Sequence, residues 1–108
     1  MVGITKSQTL RLSVVNIGSV DVNAAAAITQ NPNLLQEEPF SLAPGKCRIL
    51  DQDGAALDPG VFDKKGRVQL RAMVRASSQD VLANVEVFDS QTGVTTVILA
   101  LQRCARPE

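Results

Sequence analysis

The sequence predicts an all-β domain, a single immunoglobulin-like two-sheet sandwich of about seven strands. Three observations carry this. Apolar and polar side chains alternate with a period of two over several segments, which a pleated strand produces and a helix does not. Glycine and proline fall almost entirely between those segments. The length, 108 residues, suits one domain, so residues 1–108 are read as a single β-sandwich domain.

Residues 9–16 are the first predicted strand, with Leu10, Leu12 and Val14 inward against Arg11, Ser13 and Val15. Residues 22–29 contain the run Ala24 to Ala27, which suits either a helix capped by Asn23 or a strand. The segment is too short for a stable isolated helix and its neighbours are strands, so a strand is favoured. Residues 34–42 and 46–50 follow, joined by Ala43-Pro44-Gly45. Pro39 places the first of them at a sheet edge, because proline donates nothing to the ladder. The longest irregular stretch, residues 51–66, is a candidate functional loop.

Residues 67–76 give the clearest alternation. Val68, Leu70, Ala72, Val74 and Ala76 share one face, and Arg67, Gln69, Arg71, Met73 and Arg75 the other. Residues 81–88 repeat the pattern, with Leu82, Asn84, Glu86 and Phe88 outward. Residues 89–93 supply a turn, and residues 94–101 return as the last strand. The antibody-type Cys-Trp-Cys signature is absent, since the chain has no tryptophan.

Composition narrows function. Eleven basic and 11 acidic residues give a formal net charge of zero, so nucleic acid is not expected as a partner. The longest apolar run, residues 97–101, is far short of the ~20 residues of a membrane-spanning helix, so no membrane insertion is expected. Histidine is absent, and no Gly-x-Ser-x-Gly elbow, Ser-x-x-Lys pair or glycine-rich phosphate loop occurs. The adjacent Glu37 and Glu38 point to opposite faces of a strand. A non-enzymatic protein without cofactor is the expectation.

Four constellations are left. Cys47 and Cys104 read either as a disulfide tying the last strand to the body or as two separate thiols; zinc is disfavoured without histidine or a Cys-x-x-Cys pair. Asp51, Asp53 and Asp58 suggest a calcium loop, but the EF-hand spacing fails and Asp-Gly is an ordinary turn pair, so the expectation is no metal. Arg67, Arg71 and Arg75 lie about 13 Å apart along one strand face, a ladder for an anionic polymer unless neighbouring acids such as Glu86 pair with them. Finally, Ile98 sits in a last strand that is apolar on both faces. With the outward Met73 and Phe88 it makes a candidate apolar patch rimmed by arginine, which reads as a protein–protein surface unless residues 51–66 fold over it.

The opening Gly3-Ile4-Thr5-Lys6-Ser7-Gln8-Thr9-Leu10-Arg11-Leu12-Ser13-Val14-Val15-Asn16 resembles the Gly-Leu-Thr-x-Gly-Gln-Thr-Leu-Arg-Leu-x-Val-Val-Asn run of a loose group of bacterial exported immunoglobulin-like β-sandwich domains of uncharacterised function. The likeness recurs at Leu42-Ala43-Pro44-Gly45, at residues 68–75, and at Glu86-Val87-Phe88-Asp89 with Thr92-Gly93; Ser7 stands where glycine is more usual. The resemblance implies a sandwich at the cell surface, in the periplasm or outside the cell, and carries over no catalytic residues. The opening residues carry no signal-peptide pattern, so export is expected to rest on a leader outside this sequence. The expectation is a domain acting through protein contacts, with another protein or with copies of itself, in a surface assembly or filament. The alternative is a module for an anionic glycan or a calcium-dependent ligand.

Overall fold

The computed structural model describes residues 2–30 and 33–100, with side chains to residue 95. Its strands are β1 (Val2–Ile4), β2 (Gln8–Asn16), β3 (Val22–Gln30), β4 (Asn33–Leu42), β5 (Cys47–Asp53), β6 (Val68–Ala76), β7 (Val81–Asp89) and β8 (Thr95–Ala100). Two four-stranded antiparallel sheets, in the orders β1-β6-β3-β4 and β5-β2-β7-β8, form a sandwich. The expected strands are all present. The addition is β1, three residues long and too short to show an alternation, which pairs with β6 and buries Ile4 completely.

The alternation read from the sequence sets the inner faces. Leu10, Leu12 and Val14 of β2 meet Val85 and Val87 of β7 within one sheet, and Ile28 of β3 and Leu70 of β6 come from the other. The core is aliphatic; Phe40 and Phe62 only flank it. The alanine run is strand, with Ala24 and Ala26 inward and Ala25 and Ala27 on the outer face. Two partner strands supply the ladder hydrogen bonds that override alanine's helical preference. Pro39 lies on β4, an edge strand as expected.

The β2–β3 and β6–β7 corners lock together, with Ile17 N–H donating to Asp80 O at 2.9 Å and Ser77 N–H to Asn23 O at 2.9 Å. Asn16, fully buried, organises this end. Its Nδ2 donates to Val20 O at 2.8 Å and Leu42 O at 2.9 Å, and its Oδ1 accepts from Gly18 N–H at 2.8 Å. Its backbone joins the β4–β5 turn, donating to Lys46 O and accepting from Gly45 N–H.

The opposite end is closed by the β5–β6 connection. β5 runs on to Asp53, past the expected end of its strand, and two short 3-10 turns follow, Gly54–Ala56 and Pro59–Val61. Leu57, Val61 and Phe62 pack against the core, so this segment plugs the end of the sandwich. Gly54 is buried there against the β1–β2 turn, and a side chain is excluded because a Cβ would lie 2.1 Å from Thr5 O and 2.9 Å from Gln8 O.

Cys47 is an exposed free thiol, so the Cys47–Cys104 disulfide is not found; Cys104 lies outside the described residues. Cys47 opens β5, an edge strand of its sheet.

Three outcomes test this frame. Asn16→Ala orphans two carbonyls and one N–H group and costs about 2–4 kcal/mol in chemical denaturation, and Asn16→Asp, which turns a carboxylate toward the same carbonyls, costs at least as much at neutral pH. Gly54→Ala forces the Thr5–Gln8 turn aside, lowers stability by about 1–3 kcal/mol and speeds hydrogen exchange at the Gln8 amide. In the β7–β8 turn, backbone N–H groups of Thr92 and Gln91 donate to the Asp89 carboxylate and hold its pKa below the ordinary 3.8. The melting difference between wild type and Asp89→Ala is therefore complete above the ordinary carboxyl range and disappears as pH falls through the lower folded value.

Candidate functional site

Alternation along β6 turns Arg67, Gln69, Arg71, Met73 and Arg75 outward, all exposed. Register across β3 and β4 fixes what lies beside them. Arg75 is opposite Ala25, and Ala25 opposite Pro39; Met73 is opposite Ala27, and Ala27 opposite Glu37; Arg71 is opposite Thr29. No acid occupies a position directly across from an arginine. The ion pairs among the described residues are Arg11–Asp51 and Arg48–Glu38, and neither involves the row. Glu86, the expected counter-charge, belongs to β7 in the other sheet.

Small side chains on β3 lower the middle of this face. Ala25, Ala26 and Ala27 floor a groove of about 130 Å³, with Glu37 on one wall and Met73 and Arg75 on the other. It continues past Arg75 into a shallower space of about 260 Å³ bounded by Asn23, Ala24, Ala76 and Ser77. Met73 is 41% exposed beside it.

The three residues of the expected apolar patch do not come together. Met73 belongs to the β1-β6-β3-β4 sheet, while Phe88 and Ile98 lie on β7 and β8 of the other. A period-two pattern tells inside from outside but not which sheet a strand joins. Phe88 is half-buried, with the Arg11 guanidinium carbon 4.9 Å from its ring centroid. Arg11 is held there by a two-pronged hydrogen bond to Asp51, at 2.8 and 3.0 Å, which also raises its pKa above the usual guanidinium value. Ile98 takes the register position opposite Glu86; its side chain lies outside the described set. The 54–67 connection covers the sandwich end rather than this face.

Sequence reasoning missed a second outward apolar group. Register places Cys47 and Leu82 on either side of Val15, with Ile49 opposite Ser13; Ile49 and Leu82 are 48% and 47% exposed. Their outward positions follow from alternation, but their placement on the two sides of β2 follows only from pairing.

The aspartates of the suspected calcium loop serve separate tasks. Asp51 pairs with Arg11, Asp53 accepts from Ala55 N–H at 3.0 Å, and Asp58 accepts from Gly60 N–H at 2.9 Å. Among the described residues no three His, Cys, Asp or Glu side chains gather for a metal: Asp51 is directed to Arg11, and Asp53 and Asp58 each to its own turn. The same set has no helix long and apolar enough to cross a membrane.

This face presents exposed cations, a shallow groove floored by alanine and the exposed thioether of Met73. Compared with known proteins, the chain matches no family model, no curated protein and no solved structure.

Proposed function

We propose that the chain is a non-enzymatic binding domain, working outside the cytoplasm, whose contact surface is the outer face of the β1-β6-β3-β4 sheet. The observation that carries this is the alanine-floored groove between Glu37 and Met73, beside Arg71 and Arg75, which are in no ion pair among the described residues. Methionine and arginine are enriched at protein interfaces, and arginines whose charge goes unmatched locally favour a partner that brings acids. The partner is a protein surface with an apolar ridge between carboxylates, another protein or a second copy of this chain. The resemblance of the opening run and the turn motifs to exported domains supports the location.

A second reading rests on spacing alone. Arg67, Arg71 and Arg75 recur about 13 Å apart on one exposed face and suit the repeated anionic groups of a glycan.

Light scattering on a sizing column, with Met73→Asp and the Arg71→Ala/Arg75→Ala pair beside wild type, tests the first. A wild-type oligomer that both variants reduce to monomer at unchanged melting temperature supports self-contact. Where wild type is monomeric, a photo-crosslinking residue at position 73 must capture a protein in cells that the same residue at position 82 does not. Failure of both sinks the reading. For the second, immobilised sulfated glycan retains wild type at low salt and releases it steeply as salt rises, and the double arginine variant loses at least about tenfold in affinity. Retention that ignores those substitutions excludes the arginine row.

A further inference from the structure

A second cleft lies at the end of the sandwich opposite Asn16. It has about 550 Å³ of space and is lined by Thr5, Lys6 and Ser7 from the β1–β2 turn and by Phe62, Lys65 and Gly66 from the approach to β6. Both rims are held by their own hydrogen bonds. Thr5 N–H donates to Gln8 Oε1 at 2.9 Å and Gln8 N–H to Thr5 O at 3.1 Å, which presents Lys6 at the tip of a fixed turn. Across the cleft, Asp63 Oδ1 accepts from Lys65 N–H at 2.8 Å and Arg67 N–H at 3.0 Å, and Asp63 N–H donates to Arg67 O at 2.7 Å. Asp63 thus shapes the turn without lining the cleft. Gly66 adopts a φ of +77°, which a side chain would resist, and leaves that wall open.

The lining residues include two lysines and no acid. Thr5 Oγ1 and Ser7 Oγ lie 3.1 Å apart, so one hydroxyl donates to the other and a hydroxyl hydrogen is left for a ligand. Phe62, half-buried against the core, supplies an apolar floor. An anion with oxygens directed to several sides meets both rims and the hydroxyl pair at once, which the two oxygens of a carboxylate do less well. The space exceeds that of a bare ion and is in the range of small-molecule sites.

We propose that this cleft binds a tetrahedral oxyanion, a sulfate or phosphate ester carried by a hydroxylated small molecule such as a sugar, with Lys6 and Lys65 on the anion and the Thr5–Ser7 hydroxyl pair donating to it. The site does not depend on the arginine row or on the groove beside Met73, and stands or falls separately from them.

Titration of the protein with glucose 6-sulfate and glucose 6-phosphate, with glucose and inorganic phosphate as controls, followed by amide chemical shifts and calorimetry, tests it. The expected result is saturable binding of an ester, with shifts centred on Thr5–Ser7 and Lys65–Gly66 and no response to glucose. Lys6→Gln with Lys65→Gln weakens that binding at least about tenfold at unchanged melting temperature, and Ser7→Ala weakens it less. Arg71→Ala with Arg75→Ala leaves it unaltered. The phosphate ester loses affinity as pH falls below about 6, where the dianion takes up a proton and becomes a monoanion, while the sulfate ester does not, so the pH arm tells the two apart. Absence of saturation at millimolar ester, equal affinity for inorganic phosphate, or indifference to the double lysine variant overturns the proposal.

Discussion

Asn16 is the most deeply buried polar side chain among the described residues of a largely aliphatic interior, and the closure of one end of the sandwich is built around it. β2 must leave its sheet there and β3 must begin in the other, so backbone groups at the corner lose their ladder partners. The carbonyls of Val20 and Leu42 and the N–H of Gly18 converge on one side chain that has the donors and the acceptor to match them. β4 and the β4–β5 turn join the same clasp through Leu42, Gly45 and Lys46. A hydrophobic residue of similar size would fill the space and leave three polar groups unpaired.

That clasp fixes one end of the molecule; the 3-10 turns after β5 plug the other, and a polar seam joins the two sheets along β4 and β5. There Gln36 donates to Asp51 O at 2.7 Å and to Gln52 Oε1 at 2.9 Å, and Glu38 pairs with Arg48. The Arg48 guanidinium carbon also lies 5.9 Å from the Phe40 ring centroid. The Glu38–Arg48 pair is half-exposed and adds little to stability. Its place is structural: it occupies inward positions of an edge that the aliphatic core does not reach. With ends and seam closed by local contacts, the outer faces are left to the solvent and to whatever binds them.

The two outer faces differ in how their charges are treated. On β5-β2-β7-β8, Asp51, Arg11 and Glu86 occupy one register row, Arg11 covers Phe88, and Thr95 donates to Glu86, so the charges satisfy one another. On β1-β6-β3-β4, the positions directly across from Arg75 and Arg71 are alanine and threonine, and neither arginine is in an ion pair among the described residues. This contrast supports assigning recognition to the second face, and the basic cleft extends the same positive character to the molecule's end.

Much of the fold was legible in the sequence. Alternation in residues 9–16, 67–76 and 81–88 determined which side chains go inward, because a strand's side-chain period is two whatever its neighbours are. Pro39 announced an edge strand for the same local reason, a missing N–H. The candidate site was legible only in part. Arg67, Arg71 and Arg75 share a face by periodicity, but their lack of acidic neighbours is a matter of which strands flank β6. Met73 and Phe88 are both outward, yet on different sheets, since alternation contains no sheet label. The separate partners of Asp51, Asp53 and Asp58, the placement of Ile49 and Leu82 on either side of β2 and the shared cleft of Lys6 and Lys65 all depend on pairing and chain crossing. These are long-range choices set by the whole core. Periodicity, a property of neighbouring residues, decided inside from outside; the tertiary structure alone decided which outside residues stand together.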